Sequence, residues 1–296
     1  MYTPEMRGRV VLITGASSGI GKDTAVGIAG RGATTVLVSR DLARTEAAAE
    51  EVRALTGNDD VHALRADMGC KAEILAMAEA FQARWGRLDV LINNAGAVYM
   101  QRTVTADGHE ASFGVNHLGY HLTAMALLPC LGAGGRIVNV SSDAHWLSWV
   151  RWGDLEGERL YLGLVNYCTS KLFNLWFTFE LARRLQGTGI AVNALHPGAV
   201  ASGFGRNQES RGSWYGLGVT LARPALRTTG RAAQTSIYLA SSPEVEGVSG
   251  RYFASSKEHF CSFQAKSKAS AARLWTLTEQ ITGLGIPARP APEGRG

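Results

Sequence analysis

Short apolar runs alternate with longer stretches of helical composition along most of the chain. The runs are rich in Val, Ile and Leu and mostly continuous, which is typical of strands that are buried on both faces of a sheet. Seven strands are predicted, at residues 9–14, 34–39, 60–66, 88–93, 136–142, 190–196 and 250–254. Helices are predicted between them, among others at 41–55, 71–85, 164–185 and 229–241. This repeat predicts a parallel sheet covered by helices on both faces.

The fold class that follows is α/β, with a doubly wound sheet of about seven strands in a single domain spanning residues 1–296. Residues 143–162 and 201–227 fall outside the repeat and are rich in glycine and aromatic residues. Long insertions of this kind in a compact domain often form substrate lids or binding loops. The Pro/Gly-rich tail from about residue 287 is expected to be mobile.

Composition narrows the classes of function. The net charge is +5, but the basic residues are scattered rather than clustered, so nucleic-acid binding is not indicated. The four cysteines lie far apart, which argues against a cysteine zinc site or a disulfide framework and suits a reducing cytoplasm. No apolar stretch is long enough for a signal peptide or a membrane span. The first apolar run, "VVLI" near the start of the sequence, is too short for either.

A glycine-rich turn follows the first strand in "VVLITGASSGIGKDTA". Gly15, Gly19 and Gly21 let a backbone approach a pyrophosphate, and the following helix offers free N–H groups. The spacing is T-G-x-x-x-G-x-G, and a glycine trio alone is weak evidence because any such turn can contain glycine. Here the strand before and the helix after it are both present, which favours a dinucleotide site. The expected contacts in the turn also include Ser17, Ser18 and Ile20.

The end of the second strand indicates which dinucleotide binds. An acidic residue there favours NAD, whereas an arginine accommodates the 2′-phosphate of NADP. Ser39 and Arg40 come first, and Asp41 follows as a good helix N-cap. We interpret Arg40 as the phosphate partner, with Lys22 as a second cation, and predict NADP(H). The alternative is a solvated Arg40 and an Asp41 that binds the ribose.

Tyr167 and Lys171 stand four residues apart in "NYCTSKLFN" and therefore share one helix face. A nearby ammonium favours the phenolate and lowers the pKa of a tyrosine towards the range useful for acid–base catalysis. Taken alone, the pair could equally be the polar edge of an amphipathic helix.

Four motifs occur in chain order: the turn at 14–21, "NNAG" at 93–96, "VNVSS" at 138–142 and "YCTSK" at 167–171. Together they resemble the short-chain dehydrogenases/reductases, from residue 9 to about 285. The stretches "IVNVSSDAH", "YCTSKLFN" and "ARLWTLTEQITGL" are most similar to the retinol dehydrogenase-like branch. The resemblance implies a Rossmann-type fold and NADP(H)-dependent interconversion of a hydrophobic alcohol and its aldehyde or ketone.

The resemblance also implies roles for single residues. Tyr167 is the general acid/base, Lys171 also holds the nicotinamide ribose, and Ser142 rather than Ser141 holds the substrate oxygen. Asn116 matches the position that holds a water linking the lysine to solvent, and Asn93 is expected to support the sheet. The remaining implied cofactor contacts are Asp67, Met68, Asn94, Ala95, Gly96, Pro197, Gly198, Val200 and Ser202, the last replacing a usual threonine.

Substrate and partners are less specified. The aromatic residues of the two irregular segments favour an apolar pocket: Trp146, Trp149, Trp152, Tyr161, Phe204, Trp214 and Tyr215. His117 and His121 have i, i+4 spacing, but no third ligand matches it, so packing or surface roles are expected and no metal. Family members usually form dimers or tetramers through helices corresponding to 105–130 and 164–186, although the apolar surface of the second helix fits plain burial equally well.

Two rival functions fit the sequence less well. A nucleotide-sugar epimerase or dehydratase typically has a T-G-x-x-G-x-x-G turn and a larger C-terminal domain, and neither is found. A catalytically silent NADP-binding sensor or scaffold would be indicated by loss of Tyr167, Lys171 or Ser142, yet all three are present.

Overall fold

The computed structural model describes residues 5–198 and 228–286. Val200, Ser202, the second irregular segment with its aromatic residues and the tail from 287 therefore lie outside the described residues.

The strands form one sheet in the order β3-β2-β1-β4-β5-β6-β7-β8, parallel except for β8, which runs antiparallel to β7. The strands are β1 (Val10–Thr14), β2 (Thr34–Ser39), β3 (Val61–Arg65), β4 (Leu88–Asn93), β5 (Leu131–Val140), β6 (Ala191–His196), β7 (Tyr252–Ala254) and β8 (Lys257–Glu258). The predicted α/β fold, its single domain and all seven predicted strands are confirmed. Two details differ: β5 begins at Leu131, and the two-residue β8 was not predicted.

The helices lie between the strands as expected. They are α1 (Gly19–Ala29), α2 (Leu42–Thr56), α3 (Lys71–Trp85), α4 (Ala111–Phe113), α5 (Gly119–Leu127), α6 (Gly163–Arg184), α7 (Thr229–Ser241) and α8 (Lys268–Thr282). A π-helical turn, Gly114–Leu118, joins α4 to α5. Asp41 caps α2 as predicted, since its carboxylate accepts from the Arg44 N–H at 3.1 Å.

Both faces of the sheet are buried, which explains the continuous apolar runs. Leu12 points into the cluster shared with α3, α5 and α6, whereas its neighbours Val11 and Ile13 point into the cluster shared with α1, α2 and α7. All three are fully buried. A strand between two helical layers has no solvent face that would require polar residues.

Helix α8 covers the outer face of α6. Trp275 stacks on Phe177 with ring centroids 5.9 Å apart, and Leu274 belongs to the same buried cluster as Phe173 and Trp176. The apolar surface of α6 is therefore buried within this chain.

The irregular segment 143–162 is largely fastened to the domain. It begins with a short 3₁₀ helix, Asp143–Leu147. Trp152 stacks on Trp176 at 5.8 Å, and the Tyr161 hydroxyl donates to the Tyr99 carbonyl at 2.8 Å. Trp146 and Trp149 remain more than half exposed. Within this segment the predicted apolar lining therefore divides into two packed rings and two exposed ones.

Candidate active site

The glycine turn and the "NNAG" segment meet at the carboxyl ends of β1 and β4. A Cβ atom on Gly15, whose φ is +66°, would lie 2.7 Å from the Ala95 Cα. A Cβ atom on Gly21 would lie 2.4 Å from the Gly15 carbonyl oxygen. Both glycines are therefore required sterically, and they keep the backbone open to a ligand.

Thr14 and Asn94 fasten these segments together. The backbone N–H groups of Asn94 and Ala95 donate to Thr14 Oγ1 at 3.0 and 3.1 Å. The Asn94 side-chain amide donates to the carbonyl oxygens of Thr14 at 2.9 Å and Gly15 at 3.2 Å. Sequence analysis gave Thr14 no role, although it opens the motif.

The start of α1 suits an anionic group. Ser18 lies at its N-cap without a side-chain hydrogen bond to the helix, and the first turn of this helix contains no acidic residue. Ser17, Gly19 and Ile20 are partly exposed beside it. Free N–H groups, a favourable helix dipole and the absence of a Cβ at Gly15 and Gly21 together fit the pyrophosphate of a dinucleotide.

The side chains at the end of β2 and just after it differ in whether they already have hydrogen-bond partners. The Ser39 hydroxyl pairs with Thr45 Oγ1, and the Asp41 carboxylate is used as the cap of α2. Arg40 is exposed, and its guanidinium has no ion pair within the described parts of the chain. Arg40 is therefore available to a ligand, whereas Ser39 and Asp41 already have partners.

Lys22, the second cation expected near the phosphate, already has an ion-pair partner. Lys22 Nζ pairs with Glu51 at 2.7 Å, so the prediction that Lys22 assists Arg40 lacks support. Arg65 lies nearby at the end of β3, donating from Nε to the Arg40 carbonyl oxygen at 3.2 Å and pairing with Glu73 at 2.9 Å.

Asp67 and Met68 form the turn after β3. The Asp67 carboxylate accepts from the Gly69 N–H at 2.8 Å, and its own N–H donates to Glu73 at 2.9 Å. Met68 is buried, and a Cβ on Gly119 would lie 2.6 Å from its carbonyl oxygen. This edge of the site is held rigidly.

Tyr167 and Lys171 lie together on α6, as their spacing predicts. Lys171 Nζ is 5.7 Å from the centroid of the Tyr167 ring, and both residues are buried. The amine donates to the Val140 carbonyl oxygen at 3.2 Å. Burial lowers the pKa of Lys171 to about 7, so its charge changes in the neutral range.

The Val140 carbonyl is shared by three donors. Besides Lys171, the Tyr120 hydroxyl and the Asn174 amide each donate to it at 3.3 Å. Burial raises the pKa of Tyr120 well above its usual range, so this phenol remains a donor. Sequence analysis missed Tyr120 and Asn174, although Asn174 lies only three residues after Lys171 on the same helix.

The serine pair follows β5. Ser141 is buried and its hydroxyl donates to the Lys171 carbonyl at 2.7 Å, as expected of a structural neighbour. Ser142 is partly exposed, and its hydroxyl oxygen accepts from the Ala144 N–H at 3.1 Å at the start of the 3₁₀ helix.

Asn116 lies in the π-helical turn and is fully buried. Its amide oxygen accepts from the Ala97 N–H at 2.9 Å, and its nitrogen donates to the Ala97 carbonyl and to Ser170 Oγ, each at 3.0 Å. A Cβ on Gly96 would lie 3.2 Å from Asn116 Oδ1 and 3.4 Å from Lys171 Nζ. The fold thus brings Gly96, Asn116 and Lys171 together.

Other predicted residues are placed as follows. Pro197 and Gly198 directly follow β6 and are partly buried, with Gly198 at φ +89°. Asn93 supports the sheet, since its amide donates to Asn139 Oδ1 at 2.9 Å. His117 and His121 are both buried, and His117 Nε2 lies 3.0 Å from Thr278 Oγ1.

Residues 5–198 and 228–286 contain no group of three His, Cys, Asp or Glu side chains that could hold a metal ion. The helices in those ranges are all too short or too polar to cross a membrane.

Comparison with known proteins agrees with this geometry. The short chain dehydrogenase family model matches residues 9–212. The chain is 42% identical to mouse (Mus musculus) retinol dehydrogenase 12 over 95% of its own length and 88% of that protein. It is 40% identical to human (Homo sapiens) retinol dehydrogenase 11 over 96% and 89% of the two chains.

Comparison with solved structures shows the same fold. An uncharacterised protein from Mycobacterium Paratuberculosis superposes with a TM-score of 0.77 at 32% identity, covering 95% of this chain and 96% of that one. A short chain dehydrogenase from Burkholderia cenocepacia J2315 in complex with NADP superposes with a TM-score of 0.65 at 25% identity, covering 84% and 96%. The chain belongs to the short-chain dehydrogenase/reductase family of oxidoreductases, in its retinol dehydrogenase-like branch.

Proposed function

We propose that this protein is an NADP(H)-dependent oxidoreductase that interconverts a hydrophobic alcohol and its aldehyde or ketone. The observation that carries the proposal is the buried Tyr167–Lys171 pair on α6, packed against β5, which ends two residues before Ser142. The names of the relatives, retinol dehydrogenases 11 and 12, support a hydrophobic substrate.

The chain's own residues divide the work of binding. The glycine turn admits the pyrophosphate, and Arg40 pairs with the 2′-phosphate of the adenosine ribose. Lys171 holds the nicotinamide ribose, and Pro197 and Gly198 border the nicotinamide. The NADP complex of the Burkholderia relative supports this choice of cofactor.

In the reductive direction, Ser142 donates a hydrogen bond to the carbonyl oxygen of the substrate. When bound, the reduced nicotinamide supplies the hydride that adds to the carbonyl carbon. Tyr167 gives its proton to the oxygen as negative charge develops there. Lys171 stabilises the resulting phenolate, and because burial holds the pKa of Lys171 near 7, that stabilisation depends on pH in the neutral range.

The substrate pocket is proposed to be apolar on the side of residues 146–149. Trp146, Leu147 and Trp149 are all more than half exposed and follow Ser142 by only a few residues. Apolar side chains beside a few placed polar groups are typical of sites for hydrophobic ligands.

Cofactor choice is tested by replacing Arg40. Tryptophan fluorescence titration is expected to show tighter binding of NADPH than of NADH. Arg40→Ala should weaken NADPH binding roughly 10- to 100-fold, because a charge-assisted phosphate contact is lost, and should leave NADH binding nearly unchanged. Arg44→Ala, an exposed arginine in the first turn of α2, is the control. Equal affinity for the two cofactors in the wild type would instead assign the ribose contact to Asp41.

Catalysis is tested by replacing Tyr167. Tyr167→Phe should lower NADPH-dependent reduction of apolar aldehydes by roughly two to four orders of magnitude, while NADPH still binds. Cys168→Ala, the next residue along the helix, serves as the control. Wild-type turnover no faster than that of Tyr167→Phe would favour a silent NADP-binding protein.

A further inference from the structure

Asp143, which directly follows Ser142, is surrounded by side chains from three other parts of the chain. Its Oδ1 accepts from the Tyr252 hydroxyl at 2.9 Å. Its Oδ2 lies 3.4 Å from His196 Nε2 and 3.4 Å from His259 Nε2. Its backbone N–H donates to His196 Nδ1 at 3.3 Å. These partners come from the end of β6, from β7 and from the residue after β8.

The contact between Asp143 and His196 joins two loops of the active site. Asp143 follows the proposed catalytic serine, and His196 precedes Pro197 and Gly198 on the nicotinamide side. Because both the backbone and the carboxylate of Asp143 contact one imidazole, the two loops are held in a fixed relative position.

His145 makes a second contact with the backbone of Ser142. Its Nδ1 donates to the Ser142 carbonyl at 2.8 Å, and its Nε2 accepts from the Ser262 N–H at 3.0 Å. The ring therefore carries its proton on Nδ1, and burial lowers the pKa of His145 so that it stays neutral. Its edge packs against Tyr252 with centroids 5.5 Å apart.

Tyr252 is the buried donor in this group. Burial and then Asp143 raise the pKa of Tyr252 far above its usual range, so its hydroxyl stays protonated and donates to Asp143.

We propose that Asp143 is a positioning residue: with His196 and Tyr252 it fixes Ser142 against the nicotinamide-side turn. The proposal rests on the role proposed above for Ser142. The titratable groups around Asp143 are His196, His259 and Tyr252, with His145, Tyr167 and Cys261 beside Tyr252. His259 is the solvent-exposed member of this group.

The test compares Asp143→Ala with Asp143→Asn. The alanine variant should lower kcat roughly 10- to 100-fold, because a misplaced serine costs catalysis more than binding, with NADPH affinity within about threefold of the wild type. The asparagine keeps an acceptor for Tyr252 and should recover most of kcat.

Glu258→Gln is the matched control, an exposed carboxylate next to His259 that pairs with Arg251 at 3.2 Å. It should leave kcat unchanged. Wild-type kcat in Asp143→Ala, or an equal loss of kcat in Glu258→Gln, would overturn the proposal.

Hydrogen exchange provides a readout that does not depend on turnover. Residues 141–147 should exchange faster in Asp143→Ala than in the wild type or in Asp143→Asn, and unchanged exchange would contradict the positioning role. If the wild type reduces no carbonyl compound, the proposed function fails, while the exchange measurement still decides whether Asp143 positions the loop.

Discussion

Lys171 is a lysine whose amine lies almost entirely out of water. Its folded pKa of about 7 is below the ordinary value of 10.5. The unfolded chain therefore binds more protons than the folded chain between those two values. Stability consequently rises with pH across this window and is lost as the pH falls towards 7. The same burial that places Lys171 beside Tyr167 thus destabilises the protein at neutral pH.

We predict that Lys171→Met makes the cofactor-free protein more stable at pH 7, by a few kcal/mol as an order of magnitude. The advantage should shrink as the pH rises towards 10.5, because above that value the wild-type lysine is neutral in both states. Thermal unfolding of both proteins across this range measures the difference, in which other titrating groups cancel. A stability difference that does not vary with pH would show that Lys171 is charged when folded.

At the scale of elements, the sequence pattern predicts the bounds of a helix or strand correctly where those bounds depend on residues adjacent in the chain. Helix α3 begins and ends at the predicted residues, 71 and 85, because its amphipathic pattern stops at Gly86, which adopts the left-handed conformation at φ +67°. The start of β5 was missed because "LGAGG" reads as a turn, yet Leu131 pairs with Leu88 across a register shift. Strand β8 is only two residues long and exists through its pairing with β7.

The contacts of the candidate site also divide into those between residues close in sequence, which could be predicted, and those between distant residues, which could not. Tyr167 and Lys171 could be paired from sequence because one helical turn separates them. The contact between Thr14 and Asn94 spans 80 residues, and the contact between Asp143 and Tyr252 spans 109. Such contacts follow only from strand order, which places the end of β1 beside that of β4 and sets β5, β6 and β7 side by side.

The element that begins the cofactor site yields a steric prediction. Gly21→Ala would place a Cβ 2.4 Å from the Gly15 carbonyl oxygen and 2.6 Å from Asn94 Nδ2. We expect destabilisation of about 1–3 kcal/mol and NADPH binding weakened at least about tenfold, since the turn must move. Gly132→Ala is the control, because a Cβ there meets nothing within 4 Å. Normal NADPH affinity in Gly21→Ala would show that the turn can shift without loss.

At the scale of the whole molecule, α8 covers a helix surface that could otherwise contact a second copy of the chain. The resemblance to this family implies association through the helices equivalent to α5 and α6. In this chain Trp275 and Leu274 of α8 already cover α6, and the Arg184 guanidinium lies over the Trp275 ring at 4.5 Å from its centroid. A second copy could reach α6 only by displacing α8, which would expose this aromatic cluster to water.

We therefore predict that the purified protein is a monomer of 31.6 kDa by light scattering coupled to size-exclusion chromatography. Truncating the cover with Trp275→Ala should cost about 3–5 kcal/mol of stability, because a buried aromatic ring is removed from between helices. Thr276→Ala, the exposed next residue on α8, should cost little. A wild-type mass twice that of one chain would mean that α8 itself, or another face, forms the subunit contact.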